Sequence, residues 1–207
     1  MTGRRACIDC SFFLFCNTIL CFTLVFFVVW SIFLPEEPKF SITNASLTQF
    51  DFTIANKTLH YNLELNITIR NQNNKVDIYY NDIQVIANYG KKRFAMLTLD
   101  STPFHQGHKN TTILNHVVLE GQQLVQFGDT ELFQLKAETD TGFYSIDVQL
   151  ALRVEVGYDI FKTRYYQQSG SKINCKLKVP LNFNEKSSGS FKTTKCGNVY
   201  IMSDPVV

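Results

Sequence analysis

Charged side chains are missing from one long stretch of this sequence. From Phe12 to Leu34 no Asp, Glu, Lys or Arg interrupts a run rich in Phe, Leu, Val and Ile. A helix of this length rises about 34 Å, more than the roughly 30 Å hydrocarbon core of a bilayer. A helix of a soluble core would instead carry a polar residue at every third or fourth position. The absence predicts a transmembrane helix over residues 12–34, with the lipid bilayer as its partner.

A secretory signal is the alternative to a membrane anchor, and the run lacks what a signal needs. Signal peptides have an apolar region of about 7–15 residues that ends at a cleavage site of small residues. This run is longer and offers no such site, so it is interpreted as a retained signal-anchor. Arg4 and Arg5 precede the run, and Glu36 and Glu37 follow it. The positive-inside rule therefore predicts a cytosolic N-terminus.

The sequence also lacks a second long apolar run, which places everything after the first one on the outer side. Pro35 and Pro38 begin the expected linker, because neither residue continues a helix. The remaining length, about 170 residues, is the size of one domain. The expected organisation is a cytosolic tail at 1–11, a span at 12–34, a linker at 35–44 and an extracytosolic domain at 45–207.

Recognisable catalytic patterns are missing as well. The sequence has no Gly-x-Ser-x-Gly elbow, no Gly-rich phosphate loop and no pair of carboxylates with a catalytic signature. A Ser-His-Asp triad assembles in space and stays open. A formal net charge of +2 is too small to predict nucleic-acid binding. We predict a protein that is not an enzyme and needs no cofactor.

Histidine is scarce, and His105 and His108 form a His-x-x-His pair. Such a pair gives a metal ion at most two ligands, and no nearby Asp or Glu supplies a third with a zinc-like spacing. No metal site is therefore predicted. The residues from Asn110 to Thr112 fit turn hydrogen bonds or the start of a strand.

Cysteine is scarce in the outer part, where only Cys175 and Cys196 occur. An oxidising compartment permits their pairing, so one disulfide is predicted, with two buried free thiols as the alternative. The bond would link the last two strands or the loop between them. Cys7 and Cys10 form a Cys-x-x-Cys pair, but two ligands do not close a metal site. Reversible palmitoylation at the cytosolic membrane edge and plain thiols both remain open for this pair.

The outer part does contain alternation of period two. The apolar residues from Leu63 to Ile69 alternate with polar ones, and residues 144–156 form the longest such run. Alternation of this kind predicts antiparallel strands with one buried face. Residues 131–138 are read as a helical turn. Short strands separated by turn residues predict an all-β sandwich of about seven strands, preceded by the transmembrane helix.

Four Asn-x-Ser/Thr sequons occur on the predicted outer side, at Asn44, Asn56, Asn66 and Asn110. They are candidate glycosylation sites, and the predicted cytosolic tail contains none. Asn66 falls on the polar face of its strand, from which a glycan would project.

Several segments carry a family resemblance. They are Ile78-Tyr-Tyr-Asn-Asp-Ile83, Arg93-Phe-Ala-Met96, Pro103-Phe-His-Gln-Gly-His-Lys-Asn-Thr-Thr112, Leu119-Glu-Gly-Gln122 and Lys195-Cys196. These segments resemble the plant non-race-specific disease resistance and harpin-induced-like family, whose members carry a late embryogenesis abundant group-two domain. The family's usual Asn-Pro-Asn turn has its counterpart in Asn71-Gln72-Asn73. The resemblance implies an immunoglobulin-like or fibronectin-III-like sandwich at the plasma membrane and a role in defence or stress.

Together these features predict a single-pass plasma-membrane protein that acts by recognition, adhesion or complex assembly through its extracellular sandwich. A stress-protective domain that stabilises membranes or proteins without a discrete ligand is the alternative. Lys91, Lys92 and Arg93 form a candidate basic patch for acidic cell-wall polysaccharide or anionic lipid. The C-terminal part is also basic, through Lys172, Lys176, Lys178, Lys186, Lys192 and Lys195. A solvated sheet face is the competing interpretation. Membrane-protein partners and a homo-oligomer remain open.

Overall fold

The computed structural model describes residues 2–33, 35–158, 163–167, 172–182, 191–197, 199 and 201. Contacts between residues divide the chain into two compact units, Met1–Pro35 and Glu36–Val207.

The first unit is one helix, α1 (Thr2–Phe33). Its stretch Phe13–Ser31 has a mean hydropathy of 2.3, and none of that stretch is buried. The hydroxyl groups of Thr18 and Thr23 donate to the helix carbonyls of Phe15 and Leu20, so these polar side chains need no water. Within the described residues, α1 is the helix whose length and composition suit a membrane crossing.

The second unit contains one helix and ten strands in its described part. They are β1 (Lys39–Thr53), β2 (Thr58–Arg70), β3 (Val76–Tyr89), β4 (Lys92–Thr98), β5 (Phe104–Gln106), β6 (Thr111–Leu124), α2 (Asp129–Thr141), β7 (Phe143–Tyr158), β8 (Thr163–Gln167), β9 (Lys172–Pro180) and β10 (Thr194–Lys195). The estimate of about seven strands was too low. β5 and β10 have three and two residues, too few for an alternating pattern to show.

The strands form two antiparallel sheets. In the first sheet the order is β10-β1-β2-β6, and in the second it is β4-β3-β7-β8, with β5 also pairing β3 and β9 also pairing β7. One hydrophobic core draws residues from both sheets, including Leu63 and Leu65 of β2 and Ile146 and Val148 of β7. The domain is therefore a β-sandwich, as predicted. Its immunoglobulin-like or fibronectin-like subclass stays a prediction.

The two strongest alternations are confirmed. The four aliphatic residues from Leu63 to Ile69 are fully buried in β2. In β7, every second residue from Tyr144 to Val156 is buried. The helical turn expected at 131–138 is the centre of α2.

The predicted linker at 35–44 is corrected, because β1 already begins at Lys39. Its pairing with β2 slips between Ile42 and Asn44 and again between Leu47 and Gln49. Each bulge inserts an extra residue and so resets the inward and outward alternation. The strand therefore shows no sustained period of two in its sequence, so alternation does not predict where it begins.

Candidate interaction surfaces

One end of the sandwich is held together by buried side-chain amides. We call it the near end and define it by Glu36, Asn71, Asn73 and Gln106. Asn71 is fully buried in the turn after β2. Its Nδ2 donates to the carbonyls of Val76 and Gly107, at 2.8 and 3.1 Å. Its Oδ1 accepts from both nitrogens of Asn73, each at 3.0 Å.

Gln106 is the second buried amide of the near end. Its Nε2 lies 2.9 Å from the carbonyl oxygen of Ile69 and 2.9 Å from Oγ1 of Thr112. The hydroxyl of Tyr80 donates to its Oε1 at 3.4 Å. Burial raises the pKa of Tyr80 above its usual value, because the phenolate would lose its hydration. Gln106 thereby joins β2, β3 and β6, and its amide is occupied by protein groups.

Asn73 holds the chain at Glu36, where the domain begins. Oδ1 of Asn73 accepts from the Glu36 amide at 2.7 Å, and its Nδ2 donates to the Glu36 carbonyl at 2.8 Å. The side-chain amide thus makes the same two hydrogen bonds to Glu36 that a neighbouring strand would make, and it holds the first residue of the domain in place. Asn71-Gln72-Asn73, which stands where the family usually has an Asn-Pro-Asn turn, thus has a structural role: its amide side chains hold Glu36 and Val76 at the near end.

The histidine pair has a carboxylate partner that sequence spacing did not reveal. Asp77 Oδ2 lies 3.3 Å from His105 Nε2, and Asp77 Oδ1 lies 3.5 Å from His108 Nδ1. The backbone amide of His108 also donates to Oδ1, at 3.0 Å. Asp77 is distant in sequence and reaches the pair because β5 lies beside β3. Within the described residues, no three His, Cys, Asp or Glu side chains form a metal-binding group.

The predicted disulfide is present between Cys175 of β9 and Cys196, which follows β10. The two Cα atoms lie 4.3 Å apart. Their strands do not share a sheet, because β9 pairs with β7 and β10 pairs with β1. The bond therefore links the last two strands of the described chain, as expected, and it joins the two sheets across one side of the sandwich. Hydrogen bonds between Asn174 and Gly197 support the same crossing.

The candidate glycosylation sites lie at the surface to different degrees. Asn44, Asn56 and Asn110 are exposed, whereas Asn66 is half-buried and its Oδ1 accepts from the His116 amide. Asn44 and Asn66 are directly opposite each other in the pairing of β1 with β2. Their occupancy stays a prediction. The palmitoylation candidates Cys7 and Cys10 fall within α1, and their side chains lie outside the described part.

The basic residues do not form one patch in the described part of the chain. Lys91 and Arg93 are exposed in and beside the turn between β3 and β4, and Lys92 donates to the carbonyl of Gln126. Lys176 lies on β9, separated from that turn by β7 and β3. Asp147 of β7 is its cross-strand partner.

The opposite end of the sandwich, which we call the far end, is covered by α2. The first turn of α2 begins with Gly128, whose amide donates to Glu131 Oε2 at 2.9 Å. Leu135 points into the core, and Glu138 Oε2 accepts from the Tyr89 hydroxyl at 2.8 Å. Burial, together with this hydrogen bond to the carboxylate, raises the pKa of Tyr89 above its usual value. The helix is thereby fixed to the sheet through one face.

The outward face of the far end is apolar. Phe133 lies two residues from the buried Leu135 and so points away from the core. Phe133 is 79% exposed, Ile54 in the β1–β2 turn is 73% exposed, and Leu124 at the end of β6 is 71% exposed. These are the most exposed large apolar residues in the described part of the sandwich. These three residues are the exposed apolar residues of the far end.

A groove lies between α2 and the end of β1, with a volume of about 550 Å³. Ile54 and Phe133 form its apolar walls, while Asp51, Lys136 and Asp140 add charge. Single exposed apolar side chains are common on folded domains, whereas a contiguous apolar surface marks a site of contact. Sequence reasoning missed this surface, because Leu132, Phe133 and Leu135 give no single apolar face until the sheet selects one.

Comparison with known proteins supports the resemblance drawn from the motifs. Residues 66–172, more than half of the chain, match the late embryogenesis abundant protein family LEA_2. NDR1/HIN1-like protein 3 of Arabidopsis thaliana is 40% identical, over 82% of this chain and 71% of the relative. NDR1/HIN1-like protein 10 of the same plant is 38% identical, over 86% and 78%.

Among solved structures, a crystal structure of a protein from Archaeoglobus fulgidus covers 69% of this chain and 99% of its own. Its 9% identity and TM-score of 0.32 carry no argument about the fold. The plant proteins are 38–40% identical to this chain over more than four fifths of its length, far beyond the short motifs of the near end. The chain therefore belongs to the NDR1/HIN1-like family of proteins with a late embryogenesis abundant LEA_2 domain.

Proposed function

We propose that this chain is a single-pass plasma-membrane protein of plant defence or stress that binds a partner through the far end of an extracellular sandwich. The observation that carries the proposal is the exposure of Ile54, Leu124 and Phe133 at one end of an otherwise well-packed domain. Apolar side chains in such a cluster gain free energy when a partner removes them from water.

The other candidate surfaces support binding less well. The amides of the near end are occupied by protein carbonyls and hydroxyls. The basic residues of the Lys91–Arg93 turn and the exposed lysines of β9 lie on different strands, with β3 and β7 between them, and do not combine into one surface. An exposed apolar surface suits binding to another molecule, so the far end favours recognition or assembly as the mode of action. The names of the plant relatives support the setting in defence.

The membrane orientation belongs to the same proposal. Arg4 and Arg5 would remain in the cytosol, and the sandwich would face outward. Protease added to intact cells without their wall should remove the sandwich and leave an N-terminal tag intact. Survival of the sandwich in cells that display the protein at the surface would reverse this orientation.

Partner binding is tested by placing a photo-crosslinking residue at position 133 of the full-length chain in plant membranes. Position 113 is the matched control, because Ile113 is also apolar and exposed but lies on β6. Discrete crosslinked species at position 133, and none at position 113, would support the proposal. Crosslinks to many unrelated proteins at both positions would favour a general protective role. An absence of crosslinks at position 133 would contradict binding through the far end.

A further inference from the structure

One polar side chain of α1 has no partner in its own helix. The hydroxyl groups of Thr18 and Thr23 each donate to a helix carbonyl at 2.8 Å. The carboxamide of Asn17 is exposed and makes no hydrogen bond within the described part of the chain. Asn17 is also the only carboxamide in the stretch Phe13–Ser31. Its donors and its acceptor therefore remain available to another molecule.

Asn17 lies at a depth where water is absent from a bilayer. The stretch Phe13–Ser31 is centred on Phe22, and Asn17 precedes this residue by five positions, about 7.5 Å along the helix. The hydrocarbon core extends about 15 Å to each side of its middle. An amide without a hydrogen bond is costly in hydrocarbon, so a neighbouring helix that offers one is favoured.

The residues around Asn17 suit a close approach of a second helix. Intervals that alternate between three and four residues place side chains along one seam of a helix pair. We call this seam through Asn17 the contact stripe, and its members are Leu14, Asn17, Cys21, Leu24, Val28 and Ser31. All six are exposed. None is aromatic.

The other faces of α1 are bulkier. At 100° per residue, the face opposite Asn17 holds Phe15, Phe22, Phe26 and Trp30. A second seam through Asn17 is possible with the same spacing, but it includes Phe13 and Phe27. Helices in membranes associate most closely along faces of smaller side chains. The contact stripe is therefore the face along which a helix reaches the Asn17 amide with the least obstruction.

A second copy of α1 is the partner that fits this stripe. Copies of a single-pass chain are inserted in the same direction, so two parallel helices place Asn17 at the same depth. A carboxamide both donates and accepts hydrogen bonds, and two facing amides satisfy each other. A different membrane protein would need a polar group at this depth on a face with the same spacing.

We propose that α1 pairs in parallel with α1 of a second copy along the contact stripe, with the two Asn17 amides hydrogen-bonded to each other. The inference rests on the membrane crossing of the proposed function. It does not depend on binding through the far end, because α1 belongs to a separate unit of the chain.

The cysteines of α1 test which face makes the contact, in plant membranes and with the full-length chain. One variant keeps Cys21 of the contact stripe, with Ser at positions 7, 10 and 16. The matched variant keeps Cys16, with Ser at positions 7, 10 and 21. Both thiols are free and exposed, but Cys16 points about 100° away from Asn17. A membrane-permeable oxidant should link two copies through Cys21, and at least about tenfold less through Cys16.

The role of the amide is tested in the variant that keeps Cys21. Asn17→Leu removes the hydrogen bonds and should lower the yield of linked dimer about threefold to tenfold. It also makes α1 more apolar, so insertion into the membrane is preserved. Asn17→Gln keeps the carboxamide and should retain most of the yield. Thr18→Leu is the matched control and should change nothing, because Thr18 bonds within its own helix and lies off the stripe.

The outcomes separate the helix dimer from the proposed function. Equal linking through Cys16 and Cys21, no linking through Cys21, or a yield that Asn17→Leu leaves unchanged overturns the dimer. Linking of Cys21 to a different protein in place of a second copy overturns it as well. In each case discrete crosslinks at position 133 would leave the proposed function standing. Release of the chain from membranes by alkaline carbonate would contradict the membrane crossing, and with it both proposals.

Discussion

The two ends of the sandwich use opposite chemistry. At the near end, polar side chains such as Asn71 and Gln106 are buried, and the structure satisfies them with hydrogen bonds. At the far end, apolar side chains such as Phe133 and Ile54 are exposed, and the charges beside them are unpaired. Each end departs from the usual distribution of polar and apolar residues, in opposite directions.

The near end stabilises the fold through its buried hydrogen bonds, and the far end is the proposed binding surface. The family-specific motif lies at the near end, where its amides are used within the domain. The surface suited to binding has no recognisable motif. A motif in this chain is therefore better evidence for the fold than for the ligand.

The largest expected effect is at the near end. Replacing Asn71 with Ala removes hydrogen bonds to two buried carbonyls and to Asn73, and should lower the free energy of unfolding by about 3 kcal/mol. The matched control is Asn74→Ala, because Asn74 is exposed in the same turn. Urea unfolding of the full-length chain in detergent, followed by circular dichroism, measures both. Equal effects of the two variants would show that the buried hydrogen bonds of Asn71 do not stabilise the near end.

The disulfide should come next. Cys175 and Cys196 are 21 residues apart in sequence, and closing a loop of that size stabilises a fold by about 3 kcal/mol in the chain-entropy model. Cys196→Ala should lose this stabilisation, and reductant should bring the wild-type chain towards the variant while leaving the variant unchanged. Full reaction of both cysteines with a maleimide in the unreduced, denatured chain would show that no bond exists.

A further effect, absent at neutral pH, should appear at alkaline pH. Tyr80 at the near end and Tyr89 at the far end have raised pKa values in the folded state. Above about pH 10 the unfolded chain loses these protons while the folded chain keeps them, so stability falls as pH rises, by up to about 1.4 kcal/mol per pH unit for each tyrosine.

Comparing Tyr80→Phe with Tyr89→Phe over pH 9–12 assigns the alkaline loss to each end. Each variant should show a shallower fall in unfolding free energy than the wild-type chain. A wild-type free energy that is constant over this range would contradict the raised pKa values.

The smallest effect on stability is expected from Phe133→Asp. Since Phe133 is exposed, its replacement should change the free energy of unfolding by no more than about 0.5 kcal/mol. The same urea titration provides the measurement. A loss comparable to that of Asn71→Ala would mean that Phe133 supports the fold, and its use as a binding residue would then need a different explanation.

Sequence alone was sufficient where the determining interactions are local. The alternation in β2 and β7 and the long uncharged run are visible in consecutive residues, and the compartment of the cysteines limited their pairing. Asn71 and Asn73 were expected as turn residues, and they do occupy a turn. Their burial depends on Gly107 and Glu36, which are distant in sequence.

The candidate binding surface was not predictable in the same way. Whether Phe133 or Leu135 faces water depends on how α2 lies against Tyr89 and Tyr144. Asp77 joins His105 and His108 only after β5 pairs with β3. These arrangements are set by tertiary contacts, and a pattern along the chain contains no record of them.

The attachment of Glu36 to Asn73 also has a mechanical consequence. A pull on the domain through Glu36 is passed directly into β1, which pairs with β2 from Lys39 to Thr53. If the opposing load acts at Leu124, the end of β6, the force passes from β1 through β2 to β6 and shears the ladders between them. The hydrogen bonds of each ladder are then loaded together and do not open one after another. A ladder loaded in this way resists tension better than one that is opened from its end.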